Sequence, residues 1–200
     1  MMIKYNVHTS AYFLIALMIY FMPLDIIAAY TLAIIVHELG HILCLMMLGC
    51  RICGLSLGFS GLVIKHNGGM TQVQNVICAL AGPGAGLLFA YFASYSALAS
   101  DNHFMELCAG LSLILTTFNL LPVLPLDGGV ALKNTLSLFF TDKVIHITMN
   151  CIGGLISAGL AVCSVTIESG TVSPGLLLAA MSLITHILLA EGIVKKAKLR

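Results

Sequence analysis

The sequence predicts an all-α polytopic membrane protein of about six transmembrane helices, with a small β-meander at the cytoplasmic membrane face. Three observations predict it. The chain is 60 % hydrophobic and 8 % charged, with a mean hydropathy of +1.06, whereas soluble chains carry roughly 25 % charged residues. Charge-free apolar runs recur at the length of a bilayer crossing, about 20 residues for a core of about 30 Å. Laid across a membrane, those runs put all 9 basic residues on one side. The net charge of +1 offers no basic field to nucleic acid, which is not expected as a partner.

The first run is Tyr5 to Leu24, its apolar part confined to Ala11–Met22. Lys4 ahead of it imitates a secretory signal. Cleavage near Ala28 or Ala29 would leave too little helix before His37 to cross, so the run is kept as a span. Ile26 to Leu48 is the second, interrupted only by His37, Glu38 and His41. Val76–Ser100, Leu107–Leu126, Val144–Ile167 and Ser169–Ala190 complete the six.

Two connections are not helical. Leu55-Ser56-Leu57-Gly58-Phe59-Ser60 alternates apolar and small residues, and Leu62-Val63-Ile64 runs into the turn composition Lys65-His66-Asn67-Gly68-Gly69. This is the expected β-meander. The second connection, Asn119 to Gly129, carries Pro122, Pro125 and a Gly pair. A broken backbone at membrane depth is tolerated only inside protein or beside a wet cavity.

Lys4, Arg51, Lys65, Lys133, Lys143, Lys195, Lys196, Lys198 and Arg200 share one face. The other carries Asp25, Asp101 and Glu168, with Glu106 near its boundary. The positive-inside rule makes the basic face cytoplasmic, both termini included. The 7 cysteines are an odd number in apolar surroundings, and they read as small hydrophobes. Cys50 and Cys53 make one CxxC with no second pair at zinc-ribbon spacing.

Ionisable residues inside a span are costly and point to function. The second span holds His37-Glu38-Leu39-Gly40-His41. Its histidines stand at i and i+4, on one helix face, so both imidazoles can reach one metal ion. Glu38 is beside the first, placed to take a proton from water. Zn²⁺ with two His and a third ligand keeps a position open for that water and lowers its pKa to about 7. Asp127 is the acid that the broken segment places at membrane depth, and it is the candidate third ligand. Asn119 suits either an oxyanion or substrate site or a helix-ending cap. His8, His66 and His103 fall at loops or edges, and His146 and His186 read as structural hydrogen-bonding groups.

HELGH in one span and N-x-x-P-x-x-P-L-D-G-G in a later one resemble the site-2 protease family of intramembrane zinc metalloproteases, peptidase family M50. The likeness covers about residues 26–129, the family's three-helix catalytic core, within one membrane protease domain over residues 1–200. The resemblance implies His37, His41 and Asp127 as ligands of one Zn²⁺ per chain, Glu38 as catalytic base, and Asn119 in the substrate site. It further implies a transmembrane protein substrate, the lipid bilayer and a regulatory membrane protein as partners. A multi-pass place in a bacterial cell membrane follows, in a layout similar to the stage IV sporulation protease branch. One departure stands out: the family's G-P-x-x-N reads Gly82-Pro83-Gly84-Ala85-Gly86 here. No PDZ insertion or C-terminal nucleotide-sensing domain is expected within these residues.

Substrate helices hide their carbonyls, so cleavage requires local unwinding, and the Leu55–Ile64 strands could hold the unwound segment by edge pairing. A metal-ion transporter and a catalytically inactive membrane scaffold are the rival functions. The first would show paired broken helices in related halves; the second would most simply lack Glu38. The charge distribution yields a direct expectation. Reporter fusions at Asp101 and at the C terminus should report opposite sides of the membrane, and a same-side result would refute the six-span order.

Overall fold

The computed structural model describes residues 4–7, 12, 16, 18–58 and 61–166. Its elements are β1 (Lys4–Val7), α1 (Leu24–Met47), β2 (Arg51–Gly58), β3 (Gly61–Asn67), α2 (Gln72–Ser100), α3 (His103–Asn119), α4 (Asp127–Leu136) and α5 (Asp142–Thr166). Among the described residues, α1, α2 and Asp142–Cys163 of α5 are long and apolar enough to cross a membrane. The expected sixth span, Ser169–Ala190, lies outside the described residues.

Local chemistry moves several expected boundaries. Thr71 and Gln74 form a capping box, with Gln74 N donating to Thr71 Oγ1 at 3.2 Å and Thr71 N to Gln74 Oε1 at 2.9 Å. Each satisfies a helix-end donor, so α2 opens at Gln72 rather than near Val76. The expected span Leu107–Leu126 is corrected at both ends. Asn102 Oδ1 accepts from Phe104 N and Met105 N, which starts α3 at His103. The helix then stops at Asn119, ahead of Pro122 and Pro125. Its 17 residues reach about 25 Å at about 1.5 Å each.

Residues 5–7 are likewise corrected from span to strand. β1 pairs with β2 in parallel, Lys4 opposite Gly54 and Val7 opposite Leu57. Parallel neighbours need a long crossover, which α1 and the residues before it provide. The meander is therefore a three-stranded sheet of order β1-β2-β3. β2 and β3 pair antiparallel from Arg51–Asn67 to Gly58–Gly61, with an irregularity between Ile52 and Gly54 that leaves Cys53 unpaired in the ladder. The backbone of Lys4 thus shares a sheet with those of Arg51 and Lys65.

Two compact units divide the chain, Met1–Leu120 and Leu121–Arg200. In the first, α1, α2 and α3 meet along stripes of small residues. Ala29, Ala33, His37, Gly40 and Leu45 are buried on α1. Ala79, Gly82, Pro83, Gly86, Ala90 and Ala93 are buried on α2, and Cys108, Ser112 and Thr116 on α3. Ala29, Ala93 and Cys108 form the core, packed by Leu32, Phe89 and Phe104. Helices in lipid gain little from hydrophobic burial against each other, so close packing of small residues is what holds them. In the second unit, α4 and α5 are joined by residues 137–141.

The tightest point is Gly40, where a Cβ would stand 2.8 Å from Ala85 Cβ and against the Ala81 carbonyl. Gly40→Ala should therefore push α1 off α2 and cost about 1–3 kcal/mol, read as a lower unfolding midpoint in detergent. Gly110→Ala, at a position with nothing within 4 Å, should not lower it.

Candidate metal centre

The site begins on one turn of α1. His37 and His41 leave the same helix face, with His37 4 % exposed and His41 half-buried. Their rings meet edge to face, centroids 5.0 Å apart and planes at 74°. The two Nε2 atoms are 3.3 Å apart.

The backbone of α2 selects the tautomer. His41 Nδ1 lies 2.9 Å from the Cys78 carbonyl oxygen. A carbonyl only accepts, so Nδ1 donates and the neutral ring presents a lone pair at Nε2. Histidines that ligate metals characteristically commit their other ring nitrogen in this manner. Gly82 makes the room: a Cβ there would overlap the His41 imidazole.

The spacing fits one ion. Two imidazole nitrogens at about 2.05 Å from a tetrahedral Zn²⁺ stand about 3.3 Å from each other, which matches the 3.3 Å between the Nε2 atoms. Glu38 is half-buried, one residue on and therefore about 100° around the helix. Its carboxylate springs from the face adjoining that of the histidines.

Asp127 is the first residue of α4, half-buried, where unpaired helix N–H groups favour an anion. The turn before it is folded tightly. Val123 is 1 % exposed, Leu126 N donates to the Val123 carbonyl at 2.9 Å, and Gly129 leaves space for the Val123–Leu124 backbone. On α1, His37 and His41 offer two ring nitrogens that could hold a metal ion. Two imidazoles and a carboxylate are a set that suits zinc.

Asn119 closes α3, and its Nδ2 donates to the Leu115 carbonyl at 3.1 Å, so part of its amide is engaged by its own helix. His146 Nδ1 accepts from the Asn150 amide at 3.3 Å, one turn along α5. Sequence reading missed Cys78, whose contribution is a backbone oxygen. It noted Gly82 within a motif without assigning it the His41 ring.

The model of peptidase family M50 matches residues 93–163. A protein of Synechocystis sp. named "Putative zinc metalloprotease sll0528" is 31 % identical over 110 residues, 51 % of this chain and 28 % of that protein. The solved site-2 protease of Methanocaldococcus jannaschii superposes with a TM-score of 0.67 at 18 % identity, over 90 % of this chain and 86 % of that one. The chain is therefore similar to peptidase family M50 over part of its length and shares the fold of a site-2 protease. It spans about a quarter of the length of the Synechocystis relative.

The glycine at 86, where the resembled motif has Asn, has a physical counterpart. A Cβ at 86 would overlap Thr116 Oγ1, and Ser112 Oγ donates to the Gly86 carbonyl at 2.9 Å. Both hydroxyls belong to fully buried residues of α3. The polar atoms at this level therefore come from α3, and the glycine makes space for them.

Gly82→Ala should displace the His41 ring and lower zinc affinity by roughly 10–100-fold, measured by competition with a chelator. Gly84→Ala, two residues along and facing open space, should leave affinity unchanged.

Proposed function

We propose that the chain is an intramembrane zinc metalloprotease that hydrolyses peptide bonds of membrane-embedded or membrane-proximal proteins in regulated intramembrane proteolysis. The observation that carries this reading is the pair of Nε2 atoms 3.3 Å apart, with His41 Nδ1 committed to a helix carbonyl. His37, His41 and Asp127 would hold the ion. Bound zinc polarises a carbonyl and makes water a nucleophile near neutral pH. Glu38 takes the proton of the attacking water and returns it to the leaving amine. Asn119 contributes to the substrate site through the polar atoms its helix bond leaves over.

A helical substrate must unwind before its carbonyl is open to attack. The sheet order leaves the outer edge of β3 without a neighbouring strand among the described residues, and an extended substrate segment would pair there. The proposal extends to one protease domain over residues 1–200 with a core of about 26–129. It further places six spans and both termini on the cytoplasmic side of a bacterial cell membrane, as in the stage IV sporulation protease branch. A regulatory membrane protein is the further partner it anticipates.

Two measurements test the chemistry. Elemental analysis should find about one zinc per chain in wild type and in Glu38→Gln, and none in His41→Ala or Asp127→Ala. Unchanged zinc in Asp127→Ala would remove that residue from the ligand set. Cleavage of a co-expressed membrane substrate should fall by roughly 10²–10⁴-fold in Glu38→Gln while substrate binding persists. Full cleavage by that variant would overturn the mechanism, and zinc movement across vesicles without cleavage would favour a transporter.

A further inference from the structure

The chain passes from α1 into the sheet through a closed helix cap. Cys50 N donates to the Leu45 carbonyl at 2.9 Å and Gly49 N to that of Met46 at 3.0 Å. Gly49 supplies the left-handed backbone such a cap needs, at φ 75°. Arg51 is therefore fixed four residues beyond Met47, where the apolar helix ends. Its partner across the ladder is Asn67, five residues before α2 begins at Gln72. The Arg51–Asn67 pair is thus the corner of the sheet tied to both α1 and α2, each long and apolar enough to cross a membrane. That corner sits at the membrane border.

The register extends the corner into a charged face. Residues paired across two strands share a face, and so do residues two apart on one strand. Arg51, Asn67 and Lys65 accordingly lie on one face, and all three are exposed. Ile52, Leu55, Ile64 and His66 lie on the other and are half-buried. Gly54, paired with Lys65, adds no side chain to the charged face. Arg51 and Lys65 are diagonal neighbours, a relation that sets residues roughly 7–8 Å apart. Like charges on adjoining strands repel, and no acidic residue occurs within residues 39–100 to offset them. A counter-charge from outside the chain would remove that cost.

We propose that Arg51 and Lys65 hold the phosphate of an anionic phospholipid headgroup at the membrane border. The headgroup layer is about 5–8 Å deep on each side of the hydrocarbon core, and two residues of strand cover about 7 Å. Both long side chains therefore reach into that layer. At their spacing they reach one phosphate together, Arg51 through its fork of N–H donors and Lys65 as a compact charge. A zwitterionic headgroup brings its own cation and gains little from this face. An anionic surface attracts each nearby basic residue by roughly fivefold in binding. The site needs only the membrane seating of α1 and α2 and is independent of the zinc chemistry.

The test uses the full chain in micelles carrying equal amounts of phosphatidylglycerol and phosphatidylcholine, with retained lipid counted by native mass spectrometry. Wild type should retain phosphatidylglycerol in preference. Arg51→Gln and Lys65→Gln should each lower that preference roughly fivefold at an unchanged unfolding midpoint, and Arg51→Lys should keep most of it. Millimolar inorganic phosphate should not displace the lipid. No preference in wild type overturns the proposal. So does an equal loss in Lys143→Gln, an exposed basic residue of α5 outside the sheet, because net charge would then set the preference. Displacement by phosphate overturns it too, since the face would then take a free anion. Zinc content should match wild type in every variant, so a zinc-free wild type with intact lipid preference would overturn the metal reading alone.

Discussion

The close approach of α1 to α2 is the constraint on which the rest depends. At Gly40 and Gly82 there is no space for a side-chain carbon, on one side because of the Ala81 carbonyl and on the other because of the His41 ring. Lipid offers no hydrophobic gain for bringing two apolar helices together, so the contact must come from dense packing of small residues. The stripe of Ala29, Ala33 and Gly40 on α1 and the small residues Gly82 and Ala93 on α2 supply it. That packing brings a main-chain oxygen within 2.9 Å of an imidazole. A bulkier seam would hold the helices apart and leave His41 without its acceptor.

The polar chemistry follows from that proximity. An unsatisfied group inside an apolar protein costs several kcal/mol on the order of a lost hydrogen bond or more. The fold meets the demand with main-chain acceptors: Cys78 for His41, Gly86 for Ser112, Gly153 for Ser157. For His41 this does more than satisfy a donor. Because a carbonyl cannot donate, it determines which ring nitrogen keeps a lone pair. The consequence is a pair of nitrogens converging at a spacing suited to one tetrahedral ion, set by the backbone of the adjacent helix.

What the sequence disclosed was whatever is written in spacing. The i, i+4 histidines inside an apolar run announced α1 and its chemistry, since helical periodicity alone brings them together. The strand composition at 55–64 announced a sheet. Hidden from it were features written in the backbone or in distant pairings. Cys78 acts on His41 through an oxygen that every residue carries. Tyr5–Val7 became a strand because β2, some fifty residues on, offers an edge; the short run has no alternation long enough to reveal that. α2 opens four residues before the apolar run at Val76 because the Thr71–Gln74 capping box satisfies the helix end there. The fourth span ends before the apolar run does because the helix stops at Asn119, ahead of Pro122 and Pro125.

The same geometry bears on the rival functions. A transport site must open to each side in turn, and transporters commonly form such sites from helices broken at the midplane, whose unwound backbone coordinates the cargo. Here α1 is one unbroken helix from Leu24 to Met47, and both imidazoles stand on its intact middle. His41 is held by a neighbouring helix through a contact that Gly40 keeps rigid. Rigid donors on a continuous helix suit an ion that stays while substrate comes and goes. A scaffold would need the packing but not the chemistry. It would have no use for a lone pair directed at a second imidazole, nor for a carboxylate on the adjoining face of the same turn. The cost of placing His37, Glu38 and His41 in an apolar helix is understandable if all three act on one reacting centre.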